Sequence, residues 1–187
     1  MIFIASAVLW AAIGVIVLFV LYVIITFNSL IMLKNRVENA WSQIDVQLKR
    51  RYDLIPNLVN TVKGYMKHEK GVLTDITKMR SQLVSGSMTQ KARASDMITN
   101  ALKSLFAVAE NYPKLQASEN FKMLQEELSG TESKIAFARQ FYNDNVMGLN
   151  NKIQQFPSNV FARMLGFKER EFFKAEEAEK KPIKVEF

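Results

Sequence analysis

The chain has no cysteine and one histidine, His68. That excludes a disulfide framework, a thiol nucleophile, a cysteine-ligated zinc or iron–sulfur centre, and any metal site needing two histidines from one chain. It also removes the usual redox clue to compartment. Glycine and proline are scarce, seven and four in 187 residues, too few for a turn-rich β fold and suited to long helices. No GxxxxGK[ST], GxGxxG, HExxH or EF-hand loop occurs, so the common phosphate, dinucleotide and metal motifs are missing. Charge is missing too at one end: no Lys, Arg, Asp, Glu or His precedes Lys34.

What fills that uncharged stretch is apolar. Ile2 to Phe27 is Val, Leu, Ile, Phe and Ala almost throughout, with Trp10 and Tyr22 among them. A helix needs about 20 such residues to cross a hydrocarbon core of roughly 30 Å. In lipid a lone segment must satisfy its own backbone, which leaves only the helix. A cleavable signal peptide would need a basic n-region, a shorter apolar core and small residues at a cut site. Thr26-Phe27-Asn28-Ser29-Leu30 makes a poor cut site, so the stretch reads as an uncleaved anchor. Lys34, Arg36, Lys49, Arg50 and Arg51 follow it. The positive-inside rule then leans toward a cytoplasmic soluble part in an inner membrane. With only two of those charges close to the span, the extracytoplasmic placement stays open.

Beyond the anchor, apolar residues recur at three-four spacing: Leu30, Leu33, Val37, Trp41, Ile44, Leu48, Ile55, Leu58, Val62 and Tyr65. That is one buried stripe on a helix continuing from the span. It weakens around Arg51 and Tyr52. Pro56 predicts a bend rather than a stop, because the stripe resumes in phase, and Gly71 is the expected end. A shorter helix carries Val72, Leu73, Ile76, Met79 and Leu83 to a break at Ser85-Gly86-Ser87. A third follows Thr89 and stops near Tyr112-Pro113. Ser118 is the expected cap for a fourth, with Glu119 in its first turn and a kink expected at Gly130-Thr131. No stretch alternates with period two, so no sheet is expected. The fold class is all-α: an N-terminal transmembrane helix followed by an antiparallel bundle of long helices. The expected organisation is an anchor over 1–29, a helical bundle over 30–155, and an apolar terminal segment with a charged tail over 156–187.

The polar residues on the stripes come next. Asp53, Asn57, Asn60, Arg80, Glu110, Glu132, Arg139, Asn143 and Asn150 occupy positions that can face the interior. Catalysis would require them to converge in a pocket with a nucleophile–base pair, and the sequence shows no such pair. Pairing with one another inside a bundle is the favoured reading. A carboxylate-bridged metal bundle needs Glu and His at paired spacing, and one histidine is too few. His68, among Lys67, Glu69 and Lys70, reads as a solvated surface residue. Lys49-Arg50-Arg51 reads as a solvated face, since a helix points the three in different directions. Net charge is +7, but no concentrated basic helix with base-reading residues appears, and nucleic acid is not an expected partner. No catalytic, cofactor or metal residue is assigned, and no small-molecule substrate is evident.

The segment after Gln155 stands apart. Phe156, Val160, Phe161, Met164, Leu165 and Phe167, then Phe172 and Phe173, are too many large apolar groups for a free loop. They either cap the open end of the bundle, which is the reading placed first, or form a docking strip for a neighbouring subunit or the bilayer surface.

Lys34-Asn35-Arg36-Val37-Glu38-Asn39-Ala40-Trp41-Ser42-Gln43-Ile44-Asp45-Val46-Gln47-Leu48-Lys49-Arg50-Arg51-Tyr52-Asp53-Leu54-Ile55-Pro56-Asn57-Leu58-Val59 closely resembles the signature of the bacterial LemA family. So do Ala138-Arg139-Gln140-Phe141-Tyr142-Asn143, Phe156-Pro157-Ser158-Asn159, Gly166-Phe167, Phe172-Phe173 and the closing Val185-Glu186-Phe187, in order along nearly the whole chain. The resemblance implies one N-terminal span, usually with the small amino terminus outside, and a LemA-like helical bundle. It carries no catalytic residue with it. The function expected is a non-enzymatic, membrane-anchored scaffold or adaptor. Its partners would be the lipid bilayer, a second copy in a homo-oligomer, and other membrane proteins. The second reading is a membrane-surface or envelope-remodelling protein whose C-terminal segment binds lipid.

Overall fold

The computed structural model describes residues 2–66, 70–80 and 82–173. The elements are helices: α1 Ile2–Lys63, α2 Lys70–Arg80, α3 Gln82–Ser85, α4 Met88–Ala109, α5 Pro113–Gln116, α6 Glu119–Gln154 and α7 Ser158–Met164. No strand occurs among the described residues. The chain is all-α, with one long apolar N-terminal helix and a helical bundle. His68 and the end of the tail, Phe187 included, lie outside the described residues.

The first helix does not run to Gly71. It ends at Lys63, and the amides of Tyr65 and Met66 both close on the carbonyl of Val62 at 2.9 Å. Gly64 opens that turn, while Gly71 falls within α2. Pro56 leaves α1 continuous, and Gly130-Thr131 leaves α6 continuous. The hydroxyl of Thr131 donates to the carbonyl of Glu127 four residues back, 2.7 Å away, so this polar group stays inside its own helix. Helix α4 opens on a capping box. The Ser87 amide donates to Gln90 Oε1 (2.8 Å) and the Gln90 amide to Ser87 Oγ (3.3 Å), satisfying two otherwise orphaned donors.

The described residues fall into two compact units. One comprises Ala40–Tyr142 with Phe173. Its contacts give the helix directions. Asp45 on α1 meets Lys91 on α4, and Arg51 meets Ser95, so α1 and α4 point the same way. Trp41 meets Tyr142 and Arg51 meets Glu132, so α6 runs opposite to both. Arg80, the last residue of α2, donates to the carbonyl of Tyr52 in mid-α1 (2.9 Å), so α2 returns alongside it. The result is an up-down-up-down bundle. Its core takes Ile44, Leu48, Ile55 and Leu58 from α1, Ile98, Leu102 and Leu105 from α4, and Phe121, Leu128, Ile135 and Tyr142 from α6. Fully burying each such side chain stabilises the fold by about 1.5–3 kcal/mol.

The other unit comprises α1 up to Asn39 with Asn143–Phe172. Its α1 portion holds the apolar stretch, whose most hydrophobic window is wholly unburied. Beside it lie the last turns of α6, helix α7 and the irregular residues 167–172.

Candidate functional site

The interior of the bundle contains charge. Arg51 is fully buried, which corrects the expectation that Lys49-Arg50-Arg51 forms a solvated face. Lys49 and Arg50 do face outward, on Asp53 and Glu127. The stripe explains the exception: Ile44, Leu48 and Ile55 leave a core position at 51, and an arginine occupies it. Its Nη1 donates to the carbonyl of Ser95 (2.9 Å) and to Ser95 Oγ (3.2 Å). Its Nη2 lies 2.6 Å from Glu132 Oε1, with the N–H turned off the oxygen, so that contact is an ion pair rather than an aligned hydrogen bond. The hydroxyl of Thr99 donates to the other Glu132 oxygen at 2.7 Å. A second pair completes the cluster, Arg139 Nη1 to Asp96 Oδ1 at 2.6 Å, with Arg139 Nη2 donating to Ser95 Oγ.

Two guanidiniums and two carboxylates, drawn from α1, α4 and α6, therefore balance to zero. Burial is the largest influence on Arg51 and pushes its pKa down to about 10, partly offset by Glu132. At neutral pH Arg51 remains charged, so the cluster is a fixed ionic cross-link. No group of three His, Cys, Asp or Glu among the described residues is placed to hold a metal ion.

Of the polar residues expected to be able to face inward, Glu132, Arg139 and Asn150 do contribute to the interior, and Arg80 and Asn143 are half-buried. Asp53, Asn57, Asn60 and Glu110 are exposed, a correction with a simple cause: each lies beside the apolar stripe rather than on it. Ser95, Asp96 and Thr99 were not singled out from the sequence. The signal available was their position on the same turns of α4 as Ala94 and Ile98.

The apolar terminal residues separate into two groups. Phe173 is buried, its ring 6.2 Å from that of Trp41 and 4.3 Å beneath the Arg139 guanidinium. Phe161 and Phe167 are half-buried. Phe161 rests against Phe19 and Tyr22, at 5.9 and 5.8 Å between ring centroids, and Phe167 meets Phe27 edge-on at 6.5 Å. Phe156, Val160, Met164, Leu165 and Phe172 are exposed.

A further surface lies on the outer face of the bundle, where α1 and α6 pass. Gln43, Val46, Gln47, Lys134, Phe137, Ala138 and Phe141 line an open groove of about 370 Å³. Phe137 is 73% exposed and Val46 60%. Both residues lie off the core stripes, so the sequence pattern drew no attention to them.

Residues 40–187 match the profile of the LemA family. The chain belongs to the LemA family. Protein LemA of Metamycoplasma hominis is 29% identical over 155 residues, covering 82% of this chain and 71% of that protein. Magnetosome protein MamQ 2 of Paramagnetospirillum magneticum is 25% identical over 195 residues, covering 90% and 72%. Magnetosome protein MamQ of Magnetospirillum gryphiswaldense is 24% identical over 194 residues, covering 89% and 71%. Within this LemA family chain the profile match starts at the residue that opens the bundle unit, Ala40.

Proposed function

We propose that this LemA family member is a non-enzymatic scaffold, held in a bacterial cell membrane by α1, whose bundle associates laterally with further copies of itself. The observation that supports this reading is the groove around Phe137, Val46 and Phe141. It is an open groove that presents the exposed apolar side chains of Phe137, Val46 and Phe141 side by side. A span shared by every copy gives all of them the same sidedness, which makes contact between like faces easy to repeat. The basic residues after the span, Lys34 and Arg36 closest to it, favour a cytoplasmic bundle by the positive-inside rule. The buried charge cluster is part of the scaffold's frame. Its four charged groups engage one another and Ser95, which suits structure better than turnover.

The test is the mass of the full-length protein in mild detergent, measured by light scattering, beside the Phe137→Asp variant. The wild type is expected as an oligomer and the variant as a smaller species of unchanged helicity. A wild-type monomer, or a variant that assembles as the wild type does, would sink the self-association and turn the groove toward a different membrane protein.

A further inference from the structure

Helix α7 lies beside a part of α1 that water does not suit. Phe161 packs on Phe19 and Tyr22, both inside the apolar stretch Ile2–Phe27, while Phe167 packs on Phe27 at its end. At 1.5 Å per residue, Phe161 therefore sits about 8–12 Å further into the stretch than Phe27 does. The stretch is itself about 39 Å long by the same rise, against roughly 30 Å of hydrocarbon. With the excess of about 9 Å at the Phe27 end, the Tyr22 level lies near the boundary between acyl chains and headgroups.

The two sides of α7 differ. Ser158 and Ala162, four residues apart, are buried. Val160 and Met164, also four apart, are exposed with large apolar side chains, and Phe156 and Leu165 extend that exposed surface at either end. On α1, beside the Phe19 and Tyr22 that Phe161 touches, Val20 and Ile24 are exposed as well. A water-soluble partner would have to enter the bilayer to cover this surface.

The backbone here is also fitted to a poor hydrogen-bonding solvent. Two helix ends and a turn meet within a dozen residues, where lipid would leave amides and carbonyls unpartnered. Side chains and turn bonds supply several of the partners, while the start of α7 has no side-chain cap and Asn159 Oδ1 is buried without a partner. Ser158 Oγ lies 2.7 Å from the carbonyl of Lys152 and 2.8 Å from that of Gln155, sharing its one proton between them at the end of α6. The Asn159 amide donates to the carbonyl of Gln155 at 2.8 Å. Helix α7 closes in a Schellman motif, with the Phe167 amide on the carbonyl of Ala162 (2.9 Å) and the Gly166 amide on that of Arg163 (3.1 Å). A reciprocal pair between the Asn150 side chain and the backbone of Arg170, both bonds 2.9 Å, ties the outgoing strand of chain to α6.

We infer that residues 156–165 are a second membrane-contacting element, in which Phe156, Val160, Met164 and Leu165 seat in the acyl boundary beside α1. The occupant of this face is lipid. Arg163, exposed on the same helix, reaches the phosphate level along its own apolar stem. This is independent of the groove at Phe137, which belongs to the other unit.

The absence of cysteine makes the test direct. Single-cysteine variants Val160→Cys and Met164→Cys, with Glu126→Cys on the exposed face of α6 as reference, are labelled with an environment-sensitive fluorophore. The full-length proteins are reconstituted into liposomes whose acyl chains carry bromine at shallow or deep positions. Circular dichroism checks that each variant keeps its helicity. The labels at 160 and 164 are expected to emit at shorter wavelength than that at 126. Bromolipid should quench them several-fold more, shallow positions more than deep, while aqueous iodide reaches mainly 126. Quenching of 160 and 164 by iodide as at 126, with no effect of bromolipid, would show the face in water and overturn the inference. Shielding from both quenchers would assign the face to protein and overturn it equally. Each label reports on its own chain, so loss of self-association leaves the expected result unchanged.

Discussion

At the scale of single residues, the decisive group is Arg51. A guanidinium with no exposed surface is expensive to desolvate, and the fold contains it by surrounding it with Glu132, the Ser95 carbonyl and the Ser95 hydroxyl. Removing one partner therefore harms more than removing both. Glu132→Ala is expected to cost about 3–5 kcal/mol, because it strands a buried cation. The double variant Arg51→Met with Glu132→Leu should fall well short of that loss and approach the wild type. Chemical denaturation of the full-length protein in detergent, followed by far-ultraviolet circular dichroism, measures both. Equal destabilisation by the single and double changes would mean that the cluster is held by packing and not by charge. Residue identity alone gave little warning of this arrangement. Arg51 stands in a basic run that looks solvated, and only its place between Leu48 and Ile55 marks it as internal.

At the scale of elements, the long helices were legible and their ends were less so. The three-four spacing of apolar residues is a strong periodic signal, and it located α1, α4 and α6 along with the breaks near Ser87, Pro113 and Phe156. The end of α1 was misplaced because Gly64 and Gly71 are equivalent as letters, whereas the turn forms where the amides of Tyr65 and Met66 find the Val62 carbonyl. The apolar terminal segment was visible as a cluster but its pairing was not, since the ring contacts join residues more than a hundred positions apart in sequence. The turn after α7 offers a compact check. Gly166 has φ of +75°, with no atom within 4 Å of the place a Cβ would occupy. Gly166→Ala therefore introduces conformational strain without a clash and should cost about 1–2 kcal/mol locally. Hydrogen exchange at the Phe167 amide should speed up accordingly. An unchanged exchange rate there would show that the Schellman closure does not hold the end of α7.

At the scale of the whole molecule, membership of the LemA family and the all-α fold agree with a chain that invests in helices and in surfaces between them. Two of the apolar surfaces outside the core, the Phe137 groove and the α7 face, belong to different units and call for different occupants. The buried cluster has a mechanical consequence. Sliding α1 against α6 by one helical turn, about 5.4 Å, would pull the Arg51–Glu132 contact apart and leave the buried Arg51 charge without that partner. Shear between these helices is thus barred, although bundles cored by aliphatic residues alone can creep past one another in small steps. Under load along its axis this bundle should hold its length and then fail in a single event. Force spectroscopy on the full-length protein would show one sharp rupture for the bundle, and the doubly apolar variant would yield gradually. A bundle whose helices resist sliding in this way is expected to behave as a stiff strut under axial load.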